Sequence, residues 1–321
     1  GHSYGPLADD GEAAAVVGTT RRTRLNCVLI GGLTVGAIVF CIWYCAEAGK
    51  AITASSLDGH ESDLFVICFN VTVAAAFSVV LMLTLIDTTP MTVNYKVMGR
   101  PDIIPVEHSF KHLGRFTTFT LWCNTVAVAY FTCAGAVGIL EFRGHGAPNC
   151  LKGITLKLWE ITFPMAFLVN LVVTFVLIPG MKKQGHFEKL YFVLTWRPQL
   201  LHNGFVLVAA IEAAIAHPPL VFLPVLLLFG TVYVVFAGIL FTRIGVFHYF
   251  FMDPRFKHAP LAIAGLMLLL LILHYVGVLA IAAAAHSMVA GAALIVAALA
   301  TCTWSDPAAI PPTAEGSQSH A

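Results

Sequence analysis

Long apolar runs with almost no charge are the feature that most limits how this 321-residue chain can fold. The runs at 64–86 and 219–242 each lack any Asp, Glu, Lys or Arg. A helix of about 20 such residues is long enough to cross the hydrocarbon layer of a membrane. Charged residues make up only 11% of the chain, whereas soluble globular proteins carry roughly 25%. The sequence therefore predicts an all-α polytopic membrane helix bundle and excludes a soluble globular fold.

The apolar runs predict seven or eight transmembrane helices, and we expect eight. The last two are the least separated, because the Ala-rich end of the chain has no turn residue before it. Residues 258–304 therefore form either two spans or one long bent helix. The expected spans are 25–46, 64–87, 114–140, 154–179, 199–216, 219–250, 258–281 and 284–304.

The distribution of basic residues predicts the orientation of these helices. Fourteen of the 18 Lys and Arg residues lie in the amino-terminal segment and in alternate loops, and four lie on the opposite side. Since short basic loops stay on the cytoplasmic side, the amino terminus is expected on the cytoplasmic or matrix-like side. The distribution of basic residues does not identify the organelle. The net charge of +1, with no long block of like charge, indicates that nucleic acid is not a partner.

Two polar residues near helix starts are candidates for catalysis. Thr118 lies near the start of the third predicted helix and His202 near the start of the fifth, and both helices enter from the Lys/Arg-rich side. They are therefore expected at the same depth. Nucleophilic acyl transfer requires at least a hydroxyl nucleophile and a base close to it. A hydroxyl and an imidazole at the same depth in the membrane meet this requirement, because the imidazole accepts the hydroxyl proton. The helix face that carries His202 also carries Val206, Ala209 and Ala213. These small side chains form a stripe that allows close packing against another helix.

Other polar residues in the apolar runs have simpler interpretations. Glu212 lies about 15 Å beyond His202 by helix rise, so it is too far away to orient that imidazole. It is expected to find another partner or to stay protonated. His217 and the two prolines that follow it predict the end of the fifth helix and a tight turn. Interhelical hydrogen bonds are expected for the deeper asparagines Asn70, Asn124 and Asn170.

The intramembrane histidines leave one further alternative open, which is ligation of a haem. Bis-His haem requires two histidines that face each other across a bundle. The spacing of the candidates selects no pair, so we expect no cofactor and no metal. These candidates are His202, His217, His274 and His286.

The register of several residues carries a resemblance to a known family. Trp196 is followed by His202 at +6, Glu212 at +16 and His217 at +21, and Arg115-Phe116-Thr117-Thr118-Phe119 opens an earlier helix. In this register the chain resembles the androgen-induced-gene family, multi-pass membrane proteins that include threonine-dependent hydrolases of fatty acid esters of hydroxy fatty acids. The resemblance implies Thr118 as the nucleophile and His202 as the base.

The resemblance covers about residues 64–281, and the chain departs from the family pattern at a few positions. Gln199 replaces the family's first histidine, and the aromatic segment near the end of helix six is reduced to Gly245-Val246-Phe247-His248-Tyr249. The implied organisation is a polar tail at 1–24, an additional first helix and loop at 25–63, a six-helix core at 64–281, an Ala-rich final membrane segment at 282–304 and a carboxyl-terminal tail at 305–321.

Two functions follow as hypotheses. The first is an intramembrane hydrolase of fatty-acyl esters that uses Thr118 and His202, with membrane lipids and a fatty-acyl ester as its partners. The second is a non-catalytic accessory subunit of a large membrane complex, such as the respiratory chain, ATP synthase or a photosystem, which retains the hydrolase-family scaffold and binds other subunits. The additional first helix favours the second hypothesis, and in that case the mitochondrial inner membrane is the favoured location.

Overall fold

The computed structural model describes residues 21–48, 63–95, 106–184, 187–245 and 247–304. Most of the predicted amino-terminal tail, the loop after the first helix and the carboxyl-terminal tail lie outside these residues. Within them the chain is almost entirely helical, as the apolar runs predict. The helices are α1 (Arg21–Ala48), α2 (Leu64–Ile86), α3 (Phe119–Phe142), α4 (Asn149–Val172), α5 (Ile178–Gln184), α6 (Phe187–Val193), α7 (Trp196–Gln199), α8 (Phe205–Ile215), α9 (Leu223–Ile244), α10 (Ala259–His286) and α11 (Met288–Thr301).

Short irregular elements connect the helices. One π-helical turn, Val173–Leu177, joins α4 to α5, and another, Leu200–Gly204, joins α7 to α8. Between α2 and α3 the chain forms an antiparallel hairpin of β1 (Met91–Tyr95) and β2 (Val106–Phe110), followed by a 3₁₀ turn at His112–Thr117.

Six helical stretches of the described chain are long and apolar enough to cross a membrane. They confirm an all-α, multi-pass membrane protein, and they span the predicted six-helix core. Two further apolar stretches, Thr23–Val39 and Met288–Thr301, are shorter, so crossings beyond six stay a prediction. The six are Leu64–Ile86, Phe119–Phe142, Asn149–Lys183, Trp196–Ile215, Leu223–Ile244 and Ala259–His286.

The predicted helix 219–250 is too long at its carboxyl end. Helix α9 ends at Ile244 because Gly245 adopts a left-handed conformation with φ of +70°, which favours glycine and stops the helix. The chain then turns back over the end of the bundle, where Phe247 and Met252 are buried. This turn brings the segment 247–252 into the site described below.

The Ala-rich end is a helical hairpin and not one long bent helix. Ser287 has an extended backbone and caps α11 with its side chain, which separates α10 from α11. Helix α11 then runs antiparallel to α8, because Gly291 packs on Ala214 while Asn203 donates a hydrogen bond to Thr303 O. With 14 residues, α11 is only about 21 Å long.

In the described part of the chain the basic segments gather at one end of the bundle, which we call the basic end: residues 21–26, 87–95, 106–118, 194–199, 245 and 247–258. Asn26 Nδ2 donates to Pro254 O at 2.8 Å and to Phe256 O at 3.0 Å, which ties the start of α1 to the loop before α10. Arg197 and Asp87 form an ion pair at 2.8 Å between two other basic segments. This common end agrees with the alternation of loops on which the predicted orientation depends.

Gly277 marks the closest packing of α10 against the rest of the bundle. A Cβ at this position would lie 2.6 Å from Phe163 Cε1 and 2.7 Å from Leu220 Cδ1. We expect Gly277→Ala to lower the free energy of unfolding in mild detergent by about 1–3 kcal/mol. Gly265→Ala on the same helix is the control, because nothing lies within 4 Å of its added Cβ. Equal stabilities of the two variants would contradict this packing.

Candidate active site

His202 lies in the π-helical turn Leu200–Gly204, near the basic end. A π turn widens the helix and frees backbone carbonyls, and such turns are frequent at functional sites. Here Asn124 of α3 uses the freed carbonyl: its Nδ2 donates to Leu201 O at 3.1 Å and to Thr120 O at 2.8 Å. The buried amide therefore holds the turn that carries His202 against the first turn of α3.

The hydroxyl that contacts His202 belongs to Thr120. Thr120 Oγ1 lies 3.4 Å from His202 Nε2, a long hydrogen bond of the kind often found before substrate binds. Thr118 precedes the helix, and its Oγ1 donates to Arg115 O at 3.1 Å. The threonine that contacts His202 is therefore Thr120, which lies in the expected segment but two residues beyond the predicted Thr118.

A second threonine–histidine pair lies nearby, but its hydrogen bonds indicate a structural role. Thr117 Oγ1 lies 2.5 Å from His248 Nε2 and also donates to Gly114 O at 2.7 Å. A hydroxyl has one hydrogen and a carbonyl can only accept, so the imidazole is the donor in this pair. Burial and nearby His108 lower the pKa of His248 to about 4, which keeps the ring neutral. The pair fastens the segment 247–252 to the 3₁₀ turn.

An apolar cavity opens beside Thr120. It encloses about 900 Å³ including its open mouth, and its walls come from α1, α3, α4, the Val173–Leu177 turn, α9, the segment 249–252 and α10. Most of its lining is aliphatic or aromatic, for example Leu168, Leu227 and Leu270. Thr120 and Tyr249 are among the few polar residues that line it. A cavity of this apolar character suits an apolar ligand with one polar group.

Tyr249 lies in the returning segment and lines the same cavity as Thr120. Its ring stacks on Phe251 with a centroid distance of 5.5 Å and meets Tyr233 edge-on at 6.4 Å. Burial raises the pKa of Tyr249 to about 12, so its hydroxyl keeps its proton and can donate. The sequence placed Tyr249 in the reduced aromatic segment but indicated no role for it.

An ionic cluster at the basic end holds the two site-bearing segments in register. Asp87, just after α2, pairs with Arg197 at 2.8 Å and with Arg115 at 3.4 Å, and Arg115 also donates to Thr84 O at 3.1 Å. The pKa of Asp87 is lowered, first by the backbone N–H of Thr89 and further by Arg115. Its carboxylate is thus charged at neutral pH, and the cluster weakens only as the pH falls through this lowered pKa.

The deeper polar residues are engaged elsewhere. Glu212 accepts from the Tyr130 hydroxyl at 2.9 Å, so it has found a partner other than His202. Interhelical hydrogen bonds are confirmed for Asn124 and for Asn170, which donates to Thr301 Oγ1 at 2.6 Å. In the part of the chain that the structure describes, no three His, Cys, Asp or Glu side chains come together in a way that could hold a metal ion.

Comparison with known protein families, curated proteins and solved structures finds no match to this chain. The resemblance to the androgen-induced-gene family therefore depends on the residue register alone and stays a prediction. The case for a function consequently depends on the geometry of the site itself.

Proposed function

We propose that the protein is an intramembrane hydrolase of fatty-acyl esters in which Thr120 is the nucleophile and His202 is the general base. One observation carries the proposal: a threonine that lines an apolar cavity also contacts an imidazole through its hydroxyl. The cavity supplies the apolar surroundings that an acyl chain requires. The pair supplies the activated nucleophile that ester cleavage requires.

The chemistry proceeds in two halves. In the first, His202 Nε2 takes the proton of Thr120 Oγ1 as that oxygen bonds to the ester carbonyl carbon. The tetrahedral intermediate then breaks its bond to the alcohol oxygen, which leaves with the proton from His202. In the second half, a water attacks the acyl-threonine through the same base, which releases the fatty acid and restores the Thr120 hydroxyl.

The choice of Thr120 over Thr118 follows from hydrogen-bond partners. The Thr118 hydroxyl donates its one hydrogen to Arg115 O, so it has none to give an imidazole in this arrangement. Thr120 Oγ1 lies beside His202 Nε2, and Thr120 is one of the residues that line the cavity. The resemblance implies Thr118, and covalent labelling separates the two assignments.

Labelling with a fluorophosphonate probe, which traps activated hydroxyl nucleophiles, tests the proposed function. We expect the purified protein in mild detergent to be labelled, and mass spectrometry to place the adduct on Thr120. His202→Ala should lose the label because it removes the base, whereas His286→Ala should keep it, because His286 is an exposed histidine at the end of α10. A well-folded protein that takes no label would contradict the proposal and favour the accessory-subunit hypothesis.

A further inference from the structure

The contact between Thr120 and His202 depends on how two short segments lie against each other: the first turn of α3 and the π-helical turn Leu200–Gly204. Thr120 Oγ1 and His202 Nε2 are 3.4 Å apart, so the distance must shorten slightly before a proton can pass between them. A small displacement in the opposite direction would break the contact. Whatever fixes the two segments relative to each other therefore fixes the geometry of the reaction.

The side-chain amide of Asn124 joins the two segments at the residues that carry the pair. Its Nδ2 donates to Thr120 O at 2.8 Å and to Leu201 O at 3.1 Å. Thr120 O belongs to the nucleophile residue itself, and Leu201 O belongs to the peptide group that leads into His202. Carbonyl oxygens cannot donate, so both hydrogens of the amide are used. One planar NH₂ group thus connects the backbone of the nucleophile with the backbone of the base.

The π-helical turn supplies one of these acceptors because its hydrogen bonds are not α-helical. In an α-helix the N–H of Phe205 would donate to Leu201 O. Here it donates to Leu200 O and His202 O instead. A buried carbonyl oxygen without a donor is unfavourable in the interior of a membrane protein. Asn124 is 0% exposed and supplies that donor from the neighbouring helix.

Apolar packing between the same segments sets their alignment less closely. Leu121 of α3 and Leu201 of the turn belong to one buried apolar cluster with Val80 and Leu81 of α2. Apolar attraction has no direction, so it permits small shifts of one segment along the other. Hydrogen bonds weaken steeply when they are bent, so the two that Asn124 donates permit fewer shifts.

We propose that Asn124 is a positioning residue for the proposed hydrolysis, and that its amide holds Thr120 Oγ1 at the distance from His202 Nε2 at which the proton is transferred. The inference rests on the proposed function and adds the residue that aligns its catalytic pair. Asn124 is not among the described residues that line the cavity, so it acts on the pair and not on the acyl chain. A misplacement of about 1 Å between reacting groups can lower a rate by about 10²-fold.

Two variants test this role. Asn124 Oδ1 makes no hydrogen bond to a described residue, so Asn124→Leu removes the two donated bonds at similar size. Asn124→Ser removes the bond to Leu201 O alone, because a serine hydroxyl in a helix can donate to the carbonyl four residues earlier, here Thr120 O. In both we expect kcat for hydrolysis of a long-chain acyl ester to fall by about 10- to 100-fold, with KM changed by less than about twofold. The rate constant of fluorophosphonate labelling should fall in parallel.

Asn170→Leu is the matched control. Asn170 is also 0% exposed, and its Nδ2 donates to Thr301 Oγ1 at 2.6 Å, so this variant also removes a buried hydrogen bond between helices. We expect it to keep the wild-type kcat and labelling rate constant, whatever its stability. The labelling rate constant does not depend on how much of the protein is folded, so a variant that folds less well can still be compared.

The outcomes separate this inference from the proposed function. Wild-type kcat and labelling rate constants in Asn124→Leu and Asn124→Ser, with hydrolysis still dependent on Thr120, would overturn the inference and leave the proposed function standing. An equal fall in Asn170→Leu would also overturn it, because the loss would then follow from any missing buried hydrogen bond. Wild-type protein that neither hydrolyses esters nor takes the probe would overturn both.

Discussion

Replacement of Thr120 by alanine is expected to lower kcat for hydrolysis of a long-chain acyl ester by about 10³-fold or more, because it removes the nucleophile itself. The loss should appear in kcat, since the apolar cavity that binds the acyl chain stays intact. Steady-state hydrolysis by purified protein in mild detergent measures this effect.

Two threonine variants on the same segment make the experiment specific. Thr125→Ala is the matched control, because Thr125 is an exposed residue of α3 whose hydroxyl donates only to Leu121 O within the helix. Thr118→Ala should retain most of the activity, since its hydroxyl contacts Arg115 O in the structure. If activity is lost in Thr118→Ala and kept in Thr120→Ala, the position implied by the family resemblance is correct and the assignment from hydrogen-bond partners is wrong.

The second large effect is a loss of stability that we expect when the side chain of Glu160 in α4 is removed. Glu160 is 0% exposed. Its Oε2 accepts from Val221 N at 2.7 Å and Phe222 N at 2.8 Å, and its Oε1 lies 2.5 Å from His274 Nδ1. We expect Glu160→Ala to lower the free energy of unfolding by about 3–5 kcal/mol, because it leaves buried partners of the carboxylate unpaired.

The non-helical connection between α8 and α9 explains why this carboxylate matters. In this connection the N–H groups of Val221 and Phe222 donate to Glu160 and not to a helical carbonyl, and the interior of a membrane protein offers no bulk water to replace that acceptor. Denaturant unfolding in mild detergent measures the loss. The control is Glu141→Ala, which removes a carboxylate side chain that is 30% exposed, pairs with Lys152 at 3.0 Å and accepts from Ala147 N at 2.8 Å, and it should cost less. Similar losses of unfolding free energy in the two variants would show that Glu160 does not stabilise the connection between α8 and α9 as its hydrogen bonds indicate.

The fold class and much of the helix layout could be predicted from the sequence because the lipid environment allows few alternatives. A long apolar run must satisfy its backbone hydrogen bonds within one helix, so the predicted span 64–87 agrees closely with α2, whereas the predicted span 219–250 contains α9 but extends beyond both of its ends. The ends of the helices could not be predicted as closely. Gly245 ends α9 through its left-handed backbone and Ser287 separates α10 from α11 as a helix cap, and hydropathy contains no information on either.

Part of the candidate site was also accessible from the sequence. An imidazole in an apolar run is costly to bury and therefore stands out, and His202 was found on that basis. The segment that supplies the hydroxyl was found as well, because both helix starts belong to the basic side of the chain. Tyr249 gave no such signal, since an aromatic residue after a membrane helix is ordinary.

The chemical types at the site, and the end of the bundle where they lie, could be inferred from the amino-acid sequence. Which hydroxyl contacts the imidazole depends on how the helices pack. Residues two positions apart on an α-helix point about 200° away from each other. Thr118 and Thr120 therefore cannot contact the same side chain if both are helical. Which of them faces His202 depends on where α3 begins and on how it is aligned with the neighbouring helix. Contacts between residues far apart in the chain set that alignment, including Asp87 with Arg197 and Asn124 with Leu201 O.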